Sequence, residues 1–207
     1  MTATIAVPKR NVMTAAEFLK LDRETLREKE GKHEFFNQKL RYMAGGSVNH
    51  GSLISNLSFS FLTDVKMKKL KSRVMTDTKI KSFLHYKDYL YPDVFVVEDL
   101  PIYEDEHKDI VVNPILIVEV LSNSTEGFDR GDKFLSYQKI DTLREYILVS
   151  QDKQQIEQWI LNEKGKWQFE EVVSNGVLSL VSLPFQLDVD DVYLNIDFSQ
   201  SETSPSL

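Results

Sequence analysis

Residues 114–137, PILIVEVLSNSTEGFDRGDKFLSY, decide the fold. The stretch opens as a strand. Ile115 to Val118, then Val120 and Leu121, leave neither face polar, which suits a central strand covered on both sides. Glu119 stands in the middle of that run. Burying an ionised carboxylate alone costs on the order of several kcal/mol. Such a glutamate therefore needs a cation, a cage of hydrogen-bond donors or a proton. Ser122, Asn123, Ser124 and Thr125 follow, all helix-capping residue types. A helix from about Thr125 to Ile140 then leads into EYILV, residues 145–149, a β-α-β arrangement.

A second acid lies on the preceding strand. Asp93 follows Pro92 at the start of DVFVVE. Two acids on consecutive strands can converge on one point, and magnesium is satisfied by one or two carboxylates plus waters and substrate oxygens. Each acid also has a plainer reading. Glu119 can pair with a buried Arg or Lys or mark a sheet edge, and Pro-Asp is a common way to begin a strand after a turn. Asp129, Lys133 and Tyr137 recur at i, i+4 and i+8, on one stripe of the following helix. Read plainly, Asp129 and Lys133 are an exposed pair worth a few tenths of a kcal/mol, roughly. Read functionally, Lys133 leans back over the end of the Glu119 strand, where an ammonium can orient a water or offset charge on a phosphate.

Outward from this centre the chain reads as α/β. Residues 1–12 look like a loose arm. Thr14 and Glu17 form a capping-box pattern that opens a helix reaching about residue 29. HEFFNQKLRYMAG, residues 33–45, reads as a hairpin turning at Asn37-Gln38. A second helix is expected from about His50 to Lys69, with Leu53, Leu57, Phe61 and Val65 at helical spacing. From Arg73 the period becomes that of strands, with RVMTDTKIKSF read as one of them. Extra C-terminal strands carry Trp159 and Trp167, which suit a core or a subunit interface. The polar end SQSETSPSL, residues 199–207, is expected to be disordered. No linker interrupts the pattern, so 1–207 reads as one domain.

Bulk properties exclude several chemistries. The 207 residues contain no cysteine, which removes disulfides, thiolate catalysis and zinc-thiolate sites. The four His, at 33, 50, 85 and 107, lack zinc-ligand spacing, and no P-loop element is present. No window approaches ~20 consecutive apolar residues and no secretory h-region is seen, so the expectation is a cytoplasmic protein without a membrane span. The net charge of −7 is unevenly placed. Residues 151–207 hold 3 Lys/Arg against 10 Asp/Glu, whereas residues 1–150 hold 22 of each sign. The acidity of the C-terminal quarter therefore does not argue against a polyanion site built from the rest. Residues 66–87 hold eight Lys/Arg against the single acid Asp77. That run can track a phosphate backbone, although a solvated helix end followed by a half-exposed strand explains most of it.

YPDVFVVED, PILIVEVLSNSTEGFDRGDKFLSYQKI and REYILVS together resemble the Uma-two family, a restriction-endonuclease-like branch of the PD-(D/E)xK nuclease superfamily. The resemblance covers roughly residues 12–190. It implies an endonuclease-like core with a mixed central sheet flanked by helices, often assembled as a homodimer. It also implies that Asp93 and Glu119 are the metal-binding acids. The superfamily lysine two residues after the second acid is replaced here by Leu121, and Lys133 on the next helix matches the family's displaced lysine. Glu34 matches an N-terminal acid that can complete the metal shell, and His50 matches a histidine that can meet a phosphate or the attacking water. Where the family has an acid and a glycine after Glu34, this chain has Asn37-Gln38. The implied chemistry is phosphodiester hydrolysis in DNA, with Mg²⁺ (or Mn²⁺) held by Asp93, Glu119 and the Val120 carbonyl. The alternative is a non-catalytic module that binds nucleic acid or protein on the same fold.

Overall fold

The computed structural model describes residues 12–26, 31–43, 45–173 and 176–199. The expected loose arm and polar tail lie outside the described residues, apart from Val12 and Ser199. Helix α1 spans Ala15–Leu21 and continues as a wider turn over Asp22–Leu26. Thr14 and Glu17 close the expected capping box, each side chain accepting from the other's backbone N–H. Residues 27–30, the expected end of that helix, lie outside the described residues.

Strands β1 (His33–Phe36) and β2 (Lys39–Tyr42) form the expected hairpin. Its two turn residues, Asn37 (φ 48°) and Gln38 (φ 63°), are both left-handed. Such a turn matches the twist of the flanking strands. Helix α2 spans Val48–Met67, capped by Ser47, and buries Leu53, Leu57 and Phe61. RVMTDTKIKSF is not one strand. It breaks at Asp77 (φ 57°) into β3 (Arg73–Met75) and β4 (Lys79–Phe83), which join different sheets. Strands β5 (Lys87–Leu90), β6 (Val94–Val97), β7 (Ile110–Val111) and β8 (Pro114–Leu121) follow.

Helix α3 is built from Glu126–Phe128, Asp129–Lys133 and Phe134–Tyr137, bent at Gly131, whose φ and ψ are −110° and −107°. Then come β9 (Glu145–Ser150), β10 (Gln155–Leu161), β11 (Trp167–Val173), β12 (Val177–Ser179), β13 (Gln186–Asp188) and the short helix α4 (Val189–Val192).

The central sheet has the order β11-β10-β9-β8-β6-β3. It is mixed: β8 and β9 run parallel and the other neighbours antiparallel. A second sheet has the order β2-β1-β5-β4-β7, and β12 pairs with β13. Side chains alternate across each strand, and the central sheet uses both faces. Leu116, Val118 and Val120 of β8 pack with Leu53, Leu57 and Phe61 of α2. Ile117 and Leu121 face the other way, into a core shared with Phe134 and Tyr137 of α3. Trp159 and Trp167 pack on Phe134 at the margin of that second core. A third cluster, including Phe18, Phe35 and Tyr89, fixes α1 to the second sheet.

Candidate active site

The central sheet brings the two acids to one cavity. β6 and β8 are antiparallel, with Val94 opposite Val118 and Phe95 opposite Ile117. Asp93 lies in the bend just before β6, next to the Val94–Val118 pair, and lines the same cavity as Glu119. Phe95 and Val97 of β6, and Ile117 and Leu121 of β8, all face the α3 side. Glu119 is thus an odd-position side chain on a strand whose odd positions meet the lysine-bearing helix. Asp93 accepts from the Val120 N–H at 2.7 Å through Oδ2, which fixes the strand-start acid to the Glu119 strand.

Glu119, 2% exposed, is enclosed by α3. Lys133 Nζ lies 2.9 Å from its Oε1, and the Tyr137 hydroxyl donates to the same oxygen at 2.8 Å. Lys133 also faces Glu34 Oε1 at 3.3 Å and Asp129 Oδ1 at 3.4 Å. The expected stripe Asp129–Lys133–Tyr137 is therefore real, but it is buried rather than a solvated pair. Burial pushes the Glu119 carboxyl well above its usual range; Lys133 pulls it down, while Asp93 and Asp129 push it further up. Burial opposes the charge on Lys133, yet Glu119, Glu34 and Asp129 outweigh it, so the ammonium holds its proton well above the ordinary lysine range. Burial, followed by Glu119, also raises the Tyr137 hydroxyl, keeping it a donor.

Glu34 is buried. Its Oε1 also accepts from the Tyr91 N–H at 3.0 Å, and the Tyr91 carbonyl accepts from Lys133 at 3.4 Å. The hairpin that carries Glu34 is anchored at its turn. Asp88 accepts from the Asn37 N–H at 2.9 Å and from the Ser136 hydroxyl of α3 at 2.7 Å. Hairpin and helix are thereby tied through one carboxylate, and the Asn37-Gln38 departure leaves Glu34 directed at Lys133.

His50, in the first turn of α2, places Nε2 3.3 Å from Asp93 Oδ2. Ser47 caps the helix by accepting the His50 N–H. Burial opposes charge on the imidazole, but the hydrogen bond and attraction of Asp93 prevail and its pKa is raised. A Cβ on Gly46 would stand 2.7 Å from His50 Nδ1, so only glycine leaves the ring its place.

All five side chains named from the sequence, Glu34, His50, Asp93, Glu119 and Lys133, line one open cavity of about 500 Å³, and Val120 joins them. Asp129 and Tyr137 belong to the constellation too; their place on the Lys133 stripe was the signal for them. The donor chemistry suits a hard divalent cation: four carboxylates gather around one ammonium and one imidazole. Among the described residues no three His, Asp or Glu side chains are arranged as a ready metal shell. Two carboxylates are enough for magnesium, which keeps several waters.

The basic run of residues 66–87 does not line the cavity. Lys79 is fully buried against Asp22, Lys81 and Lys87 pair with Glu104, and Lys68 pairs with Asp64. The strand expected in this run is β4, where Lys79 is fully buried and Lys81 only partly so. Among the described residues no helix is long and apolar enough to cross a membrane.

A family model described as "Uma2: Putative restriction endonuclease" matches residues 15–195. Two proteins of Synechocystis sp. are similar along most of their length. "Uncharacterized protein sll1609" is 33% identical over 167 residues, covering 77% of this chain and 91% of its own. "Uncharacterized protein slr1290" is 32% identical over 167 residues, covering 81% and 86%. Among solved structures, a crystal structure titled as "a putative nuclease belonging to DUF820" from Anabaena variabilis superposes with a TM-score of 0.69. It covers 87% of this chain and 97% of that one at 18% identity, a likeness of fold.

Proposed function

This chain belongs to the Uma2 family, with a restriction-endonuclease-like α/β fold, and from that premise we propose that it is a metal-dependent nuclease hydrolysing phosphodiester bonds in DNA. The observation that carries the reading is that Asp93 and Glu119 line one cavity, Asp93 held by the Val120 N–H beside Glu119 and the Lys133 ammonium 2.9 Å from Glu119. Asp93, Glu119 and the Val120 carbonyl would hold Mg²⁺ or Mn²⁺, with Glu34 at the edge of the shell. A divalent cation there would supply polarisation of a phosphoryl oxygen and a more acidic water.

The protein's own groups then have separate tasks. The Val120 N–H holds Asp93 in place. Lys133, kept protonated by three carboxylates, offers an ammonium to charge growing on the phosphoryl oxygens. Tyr137 fixes one oxygen of Glu119 and so sets the direction of the other. His50, steadied by Asp93, is placed to meet a phosphate oxygen or the attacking water.

The test is cleavage of supercoiled, linear and single-stranded DNA with Mg²⁺ or Mn²⁺, beside Asp93→Ala, Glu119→Ala and Lys133→Ala. Cleavage that disappears in all three variants supports the assignment. Cleavage that persists in them places the activity elsewhere. Metal-independent DNA binding without any cleavage would make the protein a binding module.

A further inference from the structure

Arg41 stands opposite Glu34 in the register of the β1–β2 hairpin, so both side chains leave the same face. Glu34 turns inward to the Tyr91 N–H and Lys133. Arg41 instead lays its guanidinium 3.7 Å over the ring of Phe128. Phe128 lies in the first part of α3 and packs edge-on against Phe36 at 5.0 Å. The stack therefore fixes the arginine between the hairpin and the helix that carries Lys133.

The basic side chains lining the cavity are Arg41, His50 and Lys133. His50 is engaged with Asp93, and Lys133 with three carboxylates. Among the described residues no carboxylate forms an ion pair with Arg41. A ring covers only the face of a guanidinium; the N–H donors lie in its plane and stay directed outward. That plane matches the fork of two phosphate oxygens.

We propose that Arg41 is a substrate-binding residue that grips a phosphate next to the scissile one on the nucleic-acid strand, with Phe128 as its positioning residue. The inference rests on the nuclease reading above. It adds the contact that holds the polyanion where the acids of the cavity would repel it.

The test is fluorescence anisotropy with labelled phosphorothioate oligonucleotides, single-stranded and duplex, in Mg²⁺ across a salt series. Arg41→Ala should weaken binding by roughly tenfold at low salt. It should also lower the slope of log affinity against log salt by about 0.7 on single strands or 0.9 on duplex. Arg41→Gln, which keeps a planar group without the charge, should lose the same slope. Arg41→Lys should restore the slope while recovering only part of the affinity. The melting shift produced by Mg²⁺ should be unchanged in all three, because the acids are untouched. If wild type binds and the Ala and Gln variants match it in affinity and slope, the role of Arg41 is overturned while the nuclease reading stands. If wild type binds neither form, the nucleic-acid reading falls and this inference with it.

Discussion

Lys133 Nζ lies 2.9 Å from Glu119 Oε1, although the lysine comes from α3 and the glutamate from the central strand β8. The contact solves only part of the electrostatic problem of the site. The same ammonium faces Glu34 and Asp129, and Asp93 is near enough to Glu119 to raise its carboxyl. Negative groups outnumber positive ones in a place largely withdrawn from water. The surplus leaves three carboxylates sharing one ammonium and short of positive charge.

Replacement of Lys133 should therefore separate stability from chemistry. Lys133→Ala leaves Glu34, Glu119 and Asp129 without the cation they share. The expected result is a loss of cleavage of about 10²–10³-fold, the scale for removing one preorganised group that stabilises transition-state charge. Lys133→Arg keeps the charge but not the compact ammonium, and should recover only part of the rate. Single-turnover rates under saturating Mg²⁺ check this. Unchanged rates in the alanine variant would remove Lys133 from the chemistry.

Metal affinity should climb with pH. Burial raises the Glu119 carboxyl well above its usual range, so at mildly acidic pH the metal-free protein carries a proton there. A cation binding to Glu119 must displace that proton. Affinity for Mg²⁺ or Mn²⁺ is thus expected to rise as pH is raised from about 5 toward the raised pKa, then level off. Calorimetry in two buffers of different ionisation enthalpy should register proton release on the lower side of that window. Identical heats in both buffers and a flat affinity would contradict the assignment of Glu119 as ligand.

Much of this site was legible because its signals are local. Glu119 breaks an apolar run, Asp93 follows Pro92, and Asp129, Lys133 and Tyr137 keep helical spacing. The β1–β2 turn was readable at Asn37-Gln38 for the same reason. What was not legible depends on partners far along the chain. Lys79 reads as a solvated strand lysine, yet it is buried because Asp22 waits 57 residues earlier. Asp77 adopts a left-handed φ and splits an apparently continuous strand between two sheets, which no periodicity signals. Arg41 gained its place only once the hairpin register set it opposite Glu34.

The Lys79–Asp22 pair yields a stability prediction away from the site. Both side chains are fully buried, and Asp109 Oδ2 stands 3.5 Å from the lysine. Removing one partner leaves a buried charge without its counterion, which costs about 3–5 kcal/mol. Lys79→Met should lower the urea midpoint accordingly. The double change Asp22→Leu with Lys79→Met should regain most of the loss, because an apolar pair of similar volume carries no desolvation penalty. A single variant as stable as wild type would show that the pair contributes nothing to holding α1 on the second sheet.

Glu119→Gln should show what the buried carboxyl costs the metal-free fold. A carboxyl whose folded pKa is raised contributes stability that is fully present below the unfolded carboxylate pKa. That contribution is lost as pH rises through the folded value. At neutral pH the wild-type protein without metal has therefore given up stability that a neutral side chain of the same shape retains. The amide oxygen can still accept from Tyr137, and Lys133 keeps Glu34 and Asp129. The metal-free variant is expected to melt higher than wild type at neutral pH, by about 2–4 °C for each kcal/mol recovered. The gap should close as pH falls below the unfolded glutamate pKa of about 4.3, where the wild-type carboxyl becomes protonated in both states. Addition of Mg²⁺ should raise the melting temperature of wild type and leave the variant unmoved. A variant that melts lower at every pH, or that still responds fully to Mg²⁺, would mean that Glu119 is a structural partner of Lys133 and not the acid that waits for a cation.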